Sequence, residues 1–347
     1  MRTICRGVLL AAALAAVLPA RALADGMFIP YPDAAALEME AQRGVIWLRE
    51  GGAVDLTIQT RYAGAAEDFG WIIPVPDRPV VAEASADFLD QLDWLTAPHF
   101  YQDPCYIPCP DWGVDADADG DVGGTEPPDG TVTEWESGTV GVLDYSVISG
   151  SDGTALADWL EDNGFVTVAG LEAMLETYAD EGAFFFAARV TPGEDLTDGV
   201  TPVTLSLPSM EEPTFPMRLT ALSAAETIRV ALFVIGEEQH APRNYGYDRV
   251  IESRLTLEEY EDNLARLFED GDNEGFVAQF VGELWWEEEM LLYDMFYPVA
   301  EEWNDILYSG LTISRYVGDL ATSAMAEDVA FEPDEDLWVS NYFTSPC

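Results

Sequence analysis

The chain has 347 residues and carries 65 Asp plus Glu against 15 basic residues, a formal charge of −50. All 15 are Arg, and Lys is absent. So acidic a chain is not expected to bind nucleic acid or an anionic membrane, because both need clustered Lys and Arg. At 48% hydrophobic and 12% aromatic residues it is too apolar for a disordered chain, and its length fits one large domain or two modest ones.

Residues 1–24 read as an export signal. Arg2 and Arg6 supply the positive start, Val8 to Leu18 the apolar run, and Ala22-Leu23-Ala24 a small-x-small cleavage site before Asp25. The apolar run is shorter than the roughly 20 residues that span a bilayer. Removing the signal takes Arg2, Arg6 and Arg21 with it and leaves 12 Arg against 65 acids, a charge of −53. No later stretch is apolar long enough to cross a membrane, so a released periplasmic or secreted protein is expected.

Residues 25–100 form a β-rich part. Val45 to Leu48, the alternating Val54, Leu56, Ile58 and Thr60, and the apolar run Phe69 to Pro76 read as strands; Ser85 caps a short helix Ala86 to Leu95. Residues 101–132 form a loop rich in Cys, Pro and Asp. The mature chain has three cysteines: Cys105, Cys109 and Cys347. Export permits disulfides, and two pairings stay open: a local Cys105–Cys109 bridge, or one tying Cys347 to the middle of the chain.

Within that loop Asp115, Asp117, Asp119 and Asp121 occupy positions 1, 3, 5 and 7 of a run with Gly120 at position 6 and Glu126 at position 12. This is the spacing of an EF-hand calcium loop, in which alternating carboxylates and a closing Glu supply the six to eight oxygens Ca²⁺ requires. Pro108, Pro110 and Pro127-Pro128 preclude the paired helices, so a helix-free, Asp-rich calcium loop of low affinity is one reading. A solvated acidic linker is the other.

Residues 133–347 read as an α+β part. A strand Val140 to Ile148 precedes helices Ala155 to Asp162, capped by Thr154, and Leu171 to Ala179. Strands Phe184 to Val190, Val203 to Leu207, Phe215 to Leu222 and Thr227 to Ile235 follow, and Thr256 caps a helix Leu257 to Glu269. Phe276, Phe280, Leu284, Leu291 and Met295 recur at helical spacing, predicting one long helix near residues 274–299. Strands are then expected at Leu311 to Val317 and near Ala330. The uneven blocks predict an α+β fold with mainly antiparallel sheets packed against several helices.

Five segments resemble a bacterial family of exported proteins, the domain of unknown function 2330: Gly64 to Pro76, ending Trp71-Ile72-Ile73-Pro74-Val75-Pro76; Leu156 to Phe165; Phe184 to Val190; Pro216-Met217-Arg218-Leu219-Thr220-Ala221; and Leu311 to Tyr316. The resemblance implies that residues 25–320 form one domain of that family. It supplies a domain identity and a compartment but no reaction. Many members begin the mature protein with cysteines, where this chain has Gly26-Met27-Phe28, and some carry a C-terminal membrane helix.

Catalytic signatures are scarce. The sequence holds no Gly-x-Ser-x-Gly and no His-Glu-x-x-His, and its two histidines, His99 and His240, sit beside prolines, where ordinary packing is expected. Glu288 falls within an apolar helical stripe and needs a partner, for which Arg315 and Arg266 are candidates. The neighbouring Trp285-Trp286 fits packing better than a sugar platform. The expected function is therefore a non-catalytic envelope or secreted binding or structural module, stabilised by calcium if the loop is a site. The alternative is a carboxylate-dependent envelope hydrolase such as a glycosidase.

Overall fold

Val54, Leu56 and Ile58 are buried while Asp55 and Thr57 between them are half-exposed, the two-residue period of a strand with one face on a core. The computed structural model describes residues 27–30, 38–63, 69–102, 132–165, 167–191, 200–222, 226–284 and 286–345. The chain begins with β1 (Met27–Pro30), β2 (Glu38–Leu48), β3 (Val54–Ala63), β4 (Phe69–Val75) and β5 (Val80–Glu83). The helix α1 (Ala86–Thr96) starts at Ser85, whose hydroxyl accepts from the Phe88 amide at 3.1 Å.

After β6 (His99–Gln102), the hairpin β7 (Thr133–Val140) and β8 (Leu143–Ser149) turns through Gly141 at φ 53°. Asp152, rather than Thr154, caps α2 (Gly153–Asp162), accepting from the Ala155 amide at 2.7 Å. Then come α3 (Leu171–Asp180), β9 (Phe184–Val190), β10 (Val203–Leu207) and the short β11 (Thr214–Phe215). The strand expected from Phe215 to Leu222 stops at once. Pro216 has no amide to donate, and Arg218–Leu222 wind into a 3-10 turn instead.

The second half continues with β12 (Thr227–Gly236), β13 (His240–Pro242), β14 (Tyr247–Arg249) and α4 (Leu257–Asp270). The start of α4 is a capping box in which Thr256 and Glu259 satisfy each other's backbone amides. It is followed by β15 (Phe276–Glu283), α5 (Trp286–Met295), α6 (Glu302–Ser309), β16 (Thr312–Ala321), β17 (Val329–Pro333) and β18 (Tyr342–Ser345).

The long helix expected near residues 274–299 is therefore corrected to a strand followed by a ten-residue helix. From Phe276 to Gly282 every residue is buried. A strand covered on both faces shows a continuous apolar run, which periodicity cannot tell from a buried helix.

The sheets are mostly antiparallel, and the fold is α+β. One five-stranded sheet runs β1-β4-β9-β8-β7. Two four-stranded sheets, β2-β3-β10-β5 and β12-β16-β15-β14, abut where β2 lies along β12. Strands from residues 25–100 and from residues 133–347 are thus direct partners, as in β3 with β10 and β4 with β9.

Between the sheets lies one apolar layer, in which Leu56, Leu205 and Val230 meet Trp71, Ile73, Phe186 and Ala188. The alternate residues of the five-stranded sheet, Ile72, Phe185 and Ala187, face outward and are covered by α2 and α3. Val45, Trp47, Phe233 and Ile313 on the far side of the abutting sheets are covered by α1, α5 and α6. The resulting order is helices, sheet, sheet, helices, and it explains why the central strands are apolar on successive residues.

Candidate binding pocket

Where the inner layer opens at one end, a cavity of about 280 Å³ is walled by Leu56 of β3, Pro74, Val75 and Pro76 at the end of β4, and Met210 and Pro216. The prolines follow from position. Pro76 and Pro216 each follow the last residue of a strand, and Pro74, opposite Phe185 of β9, lies past the part of β4 that pairs with β1, so its missing amide interrupts no pairing on that side. Two of the segments that carry the family resemblance come together here although they are far apart in sequence, one through Pro74, Val75 and Pro76 and the other through Pro216 and Arg218.

The base of the cavity is a charged network. Asp328, just before β17, accepts from the Tyr178 hydroxyl at 2.7 Å, the Met217 amide at 2.7 Å and the Arg218 amide at 3.0 Å. Its second oxygen accepts from Arg218 Nε at 3.0 Å and lies 2.8 Å from Nη2. The same guanidinium donates to Glu181 from Nη1 at 2.7 Å and from Nη2 at 2.5 Å, and its carbon stands 3.9 Å from the centre of the Tyr178 ring. Arg218 is thus held on two sides by carboxylates and on its face by a phenol, an arrangement its planar fork suits and Lys would not.

The electrostatics follow from this geometry. Burial lifts the Tyr178 phenol well above its ordinary value, and the neighbouring Asp328 adds to the effect. Burial works against the Arg218 cation, but hydrogen bonds and charge from Glu181, Tyr178 and Asp328 outweigh it and raise its pKa. The Glu181 carboxyl is held below its usual range by its hydrogen bonds to Arg218.

A larger cleft of about 700 Å³ opens between the end of α4, the segment before β15 and residues 244–248. Tyr245, Tyr247 and Phe268 line it together with Asp248, Asp270 and Glu274. Among the described residues no group of three or more His, Cys, Asp or Glu is placed to hold a metal ion.

The residues singled out in the sequence are dispersed. Asp115, Asp117, Asp119, Asp121, Glu126, Cys105, Cys109 and Cys347 lie outside the described residues, as do Glu67-Asp68 and the Trp285 side chain. Glu288 is 4% exposed and accepts from the Tyr342 hydroxyl at 2.5 Å. Arg315 faces Asp93 at 2.7 Å, and Arg266 is exposed on α4, donating to Asn263 at 2.6 Å. His99 stacks on Tyr342 at 5.8 Å and meets Trp94 edge-on at 5.0 Å; burial lowers its pKa against the opposing pull of the Leu95 carbonyl and Glu288. His240 is buried, with Nδ1 2.8 Å from the Glu238 carbonyl oxygen, and burial lowers its pKa too. Both histidines are packing residues in these contacts.

No local sequence pattern marks the network at Arg218. One signal was available: in a chain with no Lys, an Arg inside an apolar segment is a cation that the fold must pair. Arg43, Arg218 and Arg315 all meet that description and all are paired with Asp.

No curated protein matches the chain. Among solved structures, the crystal structure of baculovirus P35 is 12% identical with a TM-score of 0.31, covering 59% of this chain and 68% of that one. A structure of mutated baculovirus P35 after caspase cleavage is 10% identical with a TM-score of 0.36, covering 87% of this chain and 98% of that one. At these scores the likeness establishes no shared fold. Among the described residues no helix is long and apolar enough to cross a membrane, which says nothing of strands. The family DUF2330, described as an uncharacterized protein conserved in bacteria, matches residues 19–301, and the chain belongs to it.

Proposed function

We propose that the chain is an exported, non-catalytic binding module of the cell envelope or the outside medium, with the pocket above Arg218 as its ligand site. The observation that carries this reading is the committed state of the charged groups at the base of that pocket. Arg218 is occupied by Glu181 and Asp328, and Asp328 is taken up by Tyr178, Met217 and Arg218. A glycosidase needs a carboxylic acid whose pKa is raised toward working pH. Glu181 is shifted the other way, so it suits an ion pair and not a general acid. What the pocket offers is a preformed apolar cavity on a rigid polar floor, which favours capture of a small apolar group over bond cleavage.

Export after residue 24 fits the same reading. It would put Cys105, Cys109 and Cys347 under oxidising conditions and expose the run Asp115 to Glu126 to calcium.

Nile red, a neutral apolar dye, tests the pocket. The wild-type chain should bind it saturably, and Thr214→Tyr, which adds a ring to the pocket lining, should abolish binding while the circular dichroism stays that of wild type. Undiminished binding by T214Y would sink the reading.

A further inference from the structure

We infer that the cleft of about 700 Å³ at the end of α4 binds a small organic cation whose charge is spread over methyl groups, as in a quaternary ammonium ion. The cleft shares no lining residue with the pocket above Arg218, so the two sites stand or fall separately.

Three aromatic rings from two stretches of chain wall the cleft, and the fold holds each in place before any ligand arrives. Tyr245 is 8% exposed. Its hydroxyl donates to the carbonyls of Glu327 at 2.8 Å and Ala324 at 3.3 Å, and its ring stands edge-on to Phe276 at 5.7 Å. Tyr247 stands edge-on to Tyr316 at 5.6 Å and stays 37% exposed. Phe268 of α4 is buried and already carries a cation, with the Arg229 guanidinium carbon 5.3 Å from its ring centre. The walls come close where Gly275 meets Gly246. A Cβ on Gly275 would stand 2.6 Å from the Gly246 carbonyl oxygen, which accepts from the Phe276 amide at 2.9 Å. Rings fixed in this way spare a ligand the cost of ordering them.

Four carboxylates, Asp248, Asp270, Glu274 and Glu327, line the same cleft, and no Arg does. The turn after α4 brings Asp270 and Glu274 together there, with Asp272 and Asn273 between them in the left-handed region at φ 53° and 57°. The guanidinium groups of the flanking segments are committed elsewhere. Arg243 pairs with Glu212 at 2.6 Å, Arg249 donates to the Trp338 carbonyl at 3.1 Å, and Arg229 is clasped by Asp319. Composition explains acids on any surface of this chain. It does not explain a cavity that gathers four of them around three fixed rings and no base.

The same geometry selects among cations. Among the described residues no three carboxylates are placed to hold one metal ion, so the negative potential is spread across the cleft. A compact cation keeps its water and gains little from the rings. A methylated ammonium is weakly hydrated, lays its methyl groups on the ring faces and stays within the field of several carboxylates. An anion is repelled. A neutral molecule of the same shape gains the rings without the field.

Titration of the full chain with choline, followed by NMR, tests the inference against the neutral alcohol in which carbon replaces the ammonium nitrogen. Choline should bind saturably and about tenfold tighter than the alcohol, the difference that cation–π contact and the field together supply. Asp270→Asn with Glu274→Gln changes two exposed side chains; it should weaken choline about fivefold and leave the alcohol unchanged. Tyr247→Leu keeps an apolar contact with Tyr316 and should weaken choline as well. Thr214→Tyr, which alters the other pocket, should leave choline binding as it is. Equal affinity for choline and the alcohol, undiminished binding by the double variant, or loss of binding in T214Y would each overturn the assignment. Phosphatidylcholine vesicles present the same ammonium beside a phosphate that the carboxylates repel, so the chain should not sediment with them. Sedimentation that free choline competes away would overturn the assignment to a free cation.

Discussion

Arg315 Nη2 lies 2.7 Å from Asp93 Oδ1, and this contact fastens α1 to the middle of the β12-β16-β15 array. Arg315 also donates to the Thr96 hydroxyl at 3.1 Å, and Arg43 of β2 reaches the other Asp93 oxygen at 3.8 Å. Burial is the main influence on Arg315 and lowers its pKa, with Asp93 opposing. Asp93→Ala would leave a buried cation without its carboxylate. Breaking such a pair costs about 3–5 kcal/mol, and the 40% exposure of the Asp93 side chain reduces the expectation to about 2–4 kcal/mol. Adding Arg315→Leu to D93A should recover most of the loss, because an apolar pair costs little where an orphaned charge costs much. Urea denaturation midpoints check this; a D93A chain within about 0.5 kcal/mol of wild type would refute it.

The Arg218 network makes a paired prediction. Asp328→Asn keeps the shape but removes the charge that offsets a mostly buried guanidinium, and it turns one acceptor into a donor facing Tyr178 or Arg218. A loss of about 3 kcal/mol is expected. Glu181 is half exposed, so Glu181→Gln should cost less than about 1 kcal/mol at neutral pH. The two also differ with pH. The folded pKa of Glu181 is lowered, so its contribution is present above the unfolded value of about 4.3 and is lost as pH falls through the folded value. The E181Q difference should therefore vanish in acid, and a difference that stays constant from pH 7 to pH 3 would contradict the lowered pKa.

Much of the fold could be read from local pattern, and the failures share one cause. The helices starting at Ser85 and Thr256 were legible because a capping side chain and an apolar stripe mark them together. Residues 276–283 mimic a helix because Phe276, Phe280 and Leu284 keep a four-residue spacing even in and just beyond a strand buried on both faces. The apolar run from Phe215 to Leu222 suggests a long strand, but Pro216 ends it after Phe215. The pocket was illegible for a different reason. Tyr178, Glu181, Arg218 and Asp328 meet only because β4, β11 and α3 converge at one end of the inner layer, and no local pattern encodes that convergence.

Alkaline pH should destabilise the chain through its tyrosines. Burial, then the nearby Asp328, pushes the Tyr245 phenol up to about 12, and burial raises Tyr178 and Tyr316 as well. A group whose folded pKa is raised contributes stability that is fully present below the unfolded value, about 10, and lost as pH rises through the folded value. Tyr245→Phe removes the hydrogen bond from its hydroxyl to the Glu327 carbonyl at 2.8 Å, which costs about 1 kcal/mol near pH 8. Because Phe does not ionise, that deficit should shrink by roughly 1 kcal/mol at pH 11. Urea titrations at the two values decide it, and an unchanged deficit would rule out the raised phenol.

The acidic run Asp115 to Glu126 makes the last prediction. Four alternating carboxylates repel one another without a cation, and on the calcium-loop reading bound Ca²⁺ would take the place of that repulsion. Millimolar calcium should then slow proteolysis between residues 105 and 130, with half-protection at about 10⁻⁴–10⁻³ M, the range of extracellular calcium modules. Magnesium at the same concentration should protect less, since it dehydrates reluctantly and demands stricter octahedral geometry. Asp115→Asn with Asp119→Asn should remove the protection while cleavage elsewhere in the chain is unaltered. Cleavage in this loop that is identical with and without calcium would make it a solvated linker, and the charge of −50 would then be a property of the surface alone.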